Sequence, residues 1–85
     1  MNFRFSNHAR KEVRRRGIPQ ALVEMVLAEP EQKTPEYGTI ICYQSRVTID
    51  SRTYLLRVMV EEAKQPPVVV TAYRTSRIEK YWSAP

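Results

Sequence analysis

The sequence predicts an α+β domain in which two helices pack on one face of a four-stranded antiparallel sheet. Three observations carry that expectation. Apolar residues recur with a helical period as far as Pro30, the period changes to two beyond Gly38, and turn residues separate the later segments. At 85 residues the chain, residues 1–85, suffices for one small domain. A domain of that size buries only about 60–65% of the surface its unfolded chain exposes. Its composition, 42% hydrophobic and 27% charged, lies well away from that of disordered chains, so a folded core is expected.

Residues 2–5, Asn-Phe-Arg-Phe, alternate and place Phe3 and Phe5 on one side of a short strand. Ser6 or Asn7 then supplies a helix N-cap, and the helix runs to Gly17, which suits the left-handed position past a helix end. Ala9, Val13 and Arg16 share one face of it, and His8, Glu12 and Arg15 form the adjoining stripe. Pro19 fits the first turn of a second helix, whose Leu22, Val23, Val26 and Leu27 make a core-facing stripe that Pro30 ends. Residues 31–38 read as a polar connection. Strands follow at 39–50, with a break near its middle, at 52–62 and at 67–74; Asp50-Ser51 is a tight turn and 63–67 a loop. Strict alternation puts Val68, Val70 and Ala72 against the helices, with Thr71, Tyr73, Thr75 and Arg57 on the open face. An exposed strand edge near residues 39–43 would suit a partner strand.

The net charge is +5, and of the 14 basic residues six precede residue 17 and three follow residue 73. If the fold joins the two ends, they make one cationic surface suited to phosphates; a charge of this size also serves solubility alone. The single cysteine, Cys42, excludes an internal disulfide and sits among apolar neighbours as a core thiol. No apolar run is long enough to span a bilayer and no signal segment opens the sequence, so a cytoplasmic location is expected.

His8 is the only histidine, and its side chain is the one whose ordinary pKa, ~6.5, suits proton transfer near neutrality. A lone histidine near a helix start is more often a capping or packing residue. Residues 72–77, Ala-Tyr-Arg-Thr-Ser-Arg, offer a phenol, two guanidinium forks and two hydroxyls, groups that hold phosphate oxygens, or else a solvated strand end. Phosphate-binding glycine loops, metal-triad spacing and a nucleophile elbow are all missing from the sequence, so no cofactor and no metal are expected.

The stretches FSNHARKEVRRRGIP, ALVEMVL and VVVTAYRTSRIEKYW together resemble a small bacterial and phage family, DUF4258, grouped with RelE-like and BrnT-like toxins. The resemblance implies a RelE/barnase-like fold and a toxin-like, metal-independent ribonuclease, or an RNA-binding toxin domain, neutralised by an acidic antitoxin protein. It points to His8, Arg16, Thr71, Tyr73, Arg74 and Thr75. The expected catalytic set is His8, Tyr73, Arg74 and Thr75, with Arg10, Arg14, Arg15, Arg16 and Arg77 on RNA. A non-catalytic domain binding nucleic acid or protein on the same fold is the alternative, and Tyr81 and Trp82 either close the core or stack on bases.

Overall fold

The computed structural model describes residues 2–84. Their order is β1 (Arg4–Phe5), α1 (Asn7–Arg15), α2 (Gln20–Ala28), β2 (Gln32–Pro35), β3 (Ile40–Ile49), β4 (Arg52–Glu61), β5 (Val68–Thr75) and α3 (Ile78–Tyr81). The class is α+β, as the sequence predicts. The sheet has five strands rather than four, in the order β1-β5-β4-β3-β2. It is also mixed, because β1 runs parallel to β5 with Arg4 opposite Val68, while the other neighbours are antiparallel.

The first helix begins as its sequence dictates. The Ser6 hydroxyl accepts the Ala9 N–H at 3.0 Å and so caps one of the donors a helix start leaves free. At the other end Gly17 takes φ +63°, its N–H donating to the Arg14 carbonyl and that of Ile18 to Val13. This is the left-handed ending for which glycine is suited, with Ile18 folded back into the core. Ala9 and Val13 are buried against the sheet. Pro19 occupies the N-cap of α2, one position earlier than expected, and accepts the first N–H bonds through its carbonyl. Val23, Val26 and Leu27 are buried and Leu22 half-buried.

The added strand β2 lies in the stretch that reads as a polar connection. Gln-Lys-Thr-Pro has no apolar alternation, so its strand form comes from pairing, Gln32 to Gln44 through Pro35 to Ile41. Pro35 is tolerated because β2 is an edge. The same pairing removes the edge expected at 39–43, since β3 has β2 on one side and β4 on the other. Nor does β3 break: all ten of its residues pair with β4, through the Asp50-Ser51 turn, where φ is +50° and +66°. Such double positive φ marks the two-residue hairpin turn whose twist matches the strands.

The faces of β5 also differ from strict alternation. Met59 pairs with Thr71 but Val60 pairs with Val69, leaving Val70 as an extra residue in a bulge. Val69 and Ala72 therefore join the helix-side core with Val23, Val26, Leu56, Val58 and Val60, and Val70 moves to the opposite face with Cys42, Met59 and Tyr73. No helix is long and apolar enough to cross a membrane among the described residues.

Candidate functional site

The two ends of the chain do meet. Ser6 donates its backbone N–H to the Val69 carbonyl at 3.0 Å, and the Arg16 guanidinium reaches the Ala72 carbonyl at 2.7 Å. α1 therefore lies along β5, its start near Val69–Val70 and its end near Ala72. His8 is exposed at that start, one turn before Glu12. Arg74 and Thr75 lie four and five residues beyond Val70, about 13–16 Å further along the strand. The strand pleat then separates the rest. Arg74 pairs with Leu56 on the helix side and stacks over the Tyr54 ring at 4.8 Å, whereas Tyr73 pairs with Arg57 on the open face. Thr75 accepts the Arg77 N–H through its hydroxyl, and Thr71 lies opposite Met59. His8, Tyr73, Arg74 and Thr75 thus do not converge on one point.

The α1 arginines divide into two kinds. Arg15 and Arg16 both pair with Glu12, at 2.7 and 2.8 Å, and their charges hold its carboxyl below the usual range, the Arg15 hydrogen bond first. Arg10 and Arg14 instead rim a groove of about 550 Å³ floored by Phe3, Phe5, Val13 and Ile18.

The densest polar cluster lies on the open face. Arg57, 5% exposed in the middle of β4, donates to Gln44 Oε1 at 2.9 Å, to the Tyr73 hydroxyl at 2.6 Å and to Glu36. The Tyr81 ring covers its guanidinium at 4.4 Å. Gln44, fully buried, uses its amide N–H bonds on Gln32 at 2.7 Å and on the Tyr81 carbonyl at 3.1 Å. The Gln32 side chain in turn clasps the backbone of Ser83, accepting its N–H and donating to its carbonyl. The segment after β5 is thus strapped across the sheet by side-chain amides. The thiol of Cys42, fully buried, is pushed up to about 11 by burial, which keeps it protonated near neutrality.

Two phenols meet at the rim of this cluster, Tyr73 and Tyr81, edge to face with centroids 6.3 Å apart. Burial raises the Tyr73 phenol above its usual value. The Lys80 ammonium, 5.2 Å from the Tyr81 ring centroid, lowers the Tyr81 phenol by hydrogen bonding and charge. Because Arg57 donates to the Tyr73 oxygen, the phenolic hydrogen of Tyr73 is left to point elsewhere. Among the described residues no group of three His, Cys, Asp or Glu side chains is placed to hold a metal ion. The sequence singles out Tyr73 and puts Arg57 on this face, but gives no part to Gln44, Glu36 or Lys80 and leaves Tyr81 open between closing the core and stacking on bases. The available signal was a charged and an amide residue at mid-strand in otherwise apolar runs, LLRVMV and ICYQS.

A family model described as "Domain of unknown function (DUF4258)" matches residues 5–74. The chain belongs to the DUF4258 family. In this DUF4258 protein the match covers α1 to Arg74 and stops before the segment that carries Lys80, Tyr81 and Trp82. No curated protein and no solved structure matches the chain.

Proposed function

We propose that this protein is a toxin-like RNA-binding domain that cleaves single-stranded RNA without a metal ion, at the corner formed by Tyr73, Tyr81 and Lys80. What supports this is the pair of neighbouring phenols whose surroundings push their pKa values in opposite directions, the arrangement that separates a base from an acid. In its ionised form Tyr81 takes the proton of a ribose 2′-OH, and the freed oxygen attacks the adjacent phosphorus. Lys80 and Arg77 carry the charge that develops on the non-bridging oxygens. The bond to the leaving 5′-oxygen breaks, Tyr73 returns a proton to it, and the products are a 2′,3′-cyclic phosphate and a 5′-hydroxyl. Arg57 is a positioning residue: it touches no substrate but fixes the Tyr73 oxygen and seats the Tyr81 ring.

On this reading Arg10, Arg14 and Arg15 hold the RNA backbone or an acidic antitoxin-like protein, and the site of action is the cytoplasm. The test is cleavage of total RNA in EDTA by the protein and by its Tyr81→Phe, Tyr73→Phe and His8→Ala variants. Loss of products with either tyrosine change, and retention with His8→Ala, is the expected result. Full cleavage by both tyrosine variants would overturn the assignment, and loss only with His8→Ala would move the chemistry to α1. One observation favours a second reading, a non-catalytic binder: the expected residues His8 and Arg74 stand apart, while Arg10 and Arg14 line an apolar groove. Salt-sensitive RNA binding without products would establish it.

A further inference from the structure

Trp82 follows Tyr81 directly, and neither the phenol pair nor the core uses it. Its ring is half-buried and stacks on the Arg46 guanidinium at 4.5 Å. Arg46 is itself held flat by Glu31, which takes its Nε at 3.2 Å, its terminal nitrogen at 2.9 Å and its backbone N–H at 2.7 Å. Beside this fixed stack opens a depression of about 470 Å³ lined by Arg46, Ile78, Glu79, Trp82 and Ala84. A second depression, of about 550 Å³, adjoins it and is lined by Ser76, Arg77, Ile78, Glu79 and Lys80. The two share Ile78 and Glu79.

One depression therefore sets the indole and apolar side chains beside the already paired Arg46, the other sets Arg77 and Lys80 together, and the Glu79 carboxylate lies between the two. Glu79 is exposed and, among the described residues, has no cation paired with it. A planar ligand with a phosphate attached satisfies both at once. The ring stacks against the indole and guanidinium, the usual way a protein holds an unpaired base, and the phosphate meets Arg77 and Lys80. A carboxylate accepts two parallel N–H bonds from a base that presents adjacent donors on its pairing edge, as guanine does through N1 and N2; uracil presents one.

We infer that the Trp82–Arg46 stack and Glu79 form a nucleobase subsite that selects guanine in single-stranded RNA, beside the corner where Tyr81 and Lys80 act. The inference rests on the ribonuclease reading for its substrate class, but its test needs no cleavage. Trp82 is the only tryptophan, so its fluorescence reports this site alone. Titration of the whole protein with GMP should give saturable quenching, with an affinity about tenfold above that for UMP, the worth of one good bidentate pair. Glu79→Gln, an exposed change that leaves the core untouched, should bring GMP to parity with UMP while quenching persists. Equal affinity for the two nucleotides in the unaltered protein, or no saturable quenching by either, would overturn the subsite. Base-selective quenching without RNA cleavage would leave it standing and remove the catalytic reading; cleavage without base preference would do the reverse.

Discussion

An arginine buried to the depth of Arg57 must find partners for its donors inside the protein, because an unpaired buried charge costs far more than a surface one. Glu36, Gln44 and Tyr73 supply those partners. Arg57→Ala should therefore destabilise the fold by about 3 kcal/mol, at the low end for a broken buried pair. Glu36 moderates the loss by keeping 27% of its side chain in water. The denaturant midpoint measures it. Tyr81 makes a second prediction. Its phenol should titrate below the ordinary ~10 for tyrosine, and Lys80→Met should move it back up, as read by tyrosinate absorbance. Since folding favours the ionised form, this ionisation contributes stability fully only above ~10 and the contribution is lost as pH falls through the lowered folded value. If Tyr81 is the base, the cleavage rate rises over that same alkaline limb.

At the scale of the elements, the turns and caps carry the clearest forecasts. Gly17→Ala should cost about 1 kcal/mol from the left-handed backbone alone, because a Cβ there meets nothing within 4 Å. Replacing Asp50-Ser51 by Asn-Gly should stabilise the β3–β4 hairpin by about 0.5–1 kcal/mol, since both positions already hold positive φ. Thermal melts check both. These are also the features the sequence displays openly: Ser6, Gly17, Pro30 and Asp50-Ser51 act through local geometry, so their types alone place the element ends. β2 was not legible because Gln32–Pro35 is a strand only by virtue of its pairing with β3. The inner faces of β5 were not legible either. Three consecutive valines hide an inserted residue from any period, and only the register against Met59 and Val60 reveals it.

Across the whole molecule, the basic ends come together as the charge distribution suggests, but what they form is two surfaces. Arg10 and Arg14 lie by the groove beside α1; Arg77 and Lys80 lie by α3. Which side of the sheet each residue occupied could not be read from composition, and the separation of His8 from Tyr73 follows from it. If the protein binds RNA as proposed, the affinity should fall with salt with a logarithmic slope of about 0.7 for each phosphate contact made. Arg14→Ala should reduce that slope more than Arg15→Ala, whose charge Glu12 already offsets. Acid should destabilise the protein through Glu12, Glu31 and Glu62, each held below its usual range by a hydrogen-bonded cation. Their contribution is complete above the ordinary carboxylate value of ~4.3 and disappears as pH falls through the lowered folded values, which an acid unfolding curve would show.

The parallel pairing of β1 with β5 joins residues 4–5 to residues 68–69, across most of the described chain. During synthesis the first strand leaves the ribosome with its neighbour not yet made, and α1 with it lacks the surface that buries Ala9 and Val13. Helical and hairpin structure forms locally in the meantime, but the sheet closes only once Val69 has cleared the exit tunnel. An arrangement that depends on the finished sheet is thus withheld from each nascent copy until β5 is free to pair, and for that interval the apolar face of α1 stays uncovered.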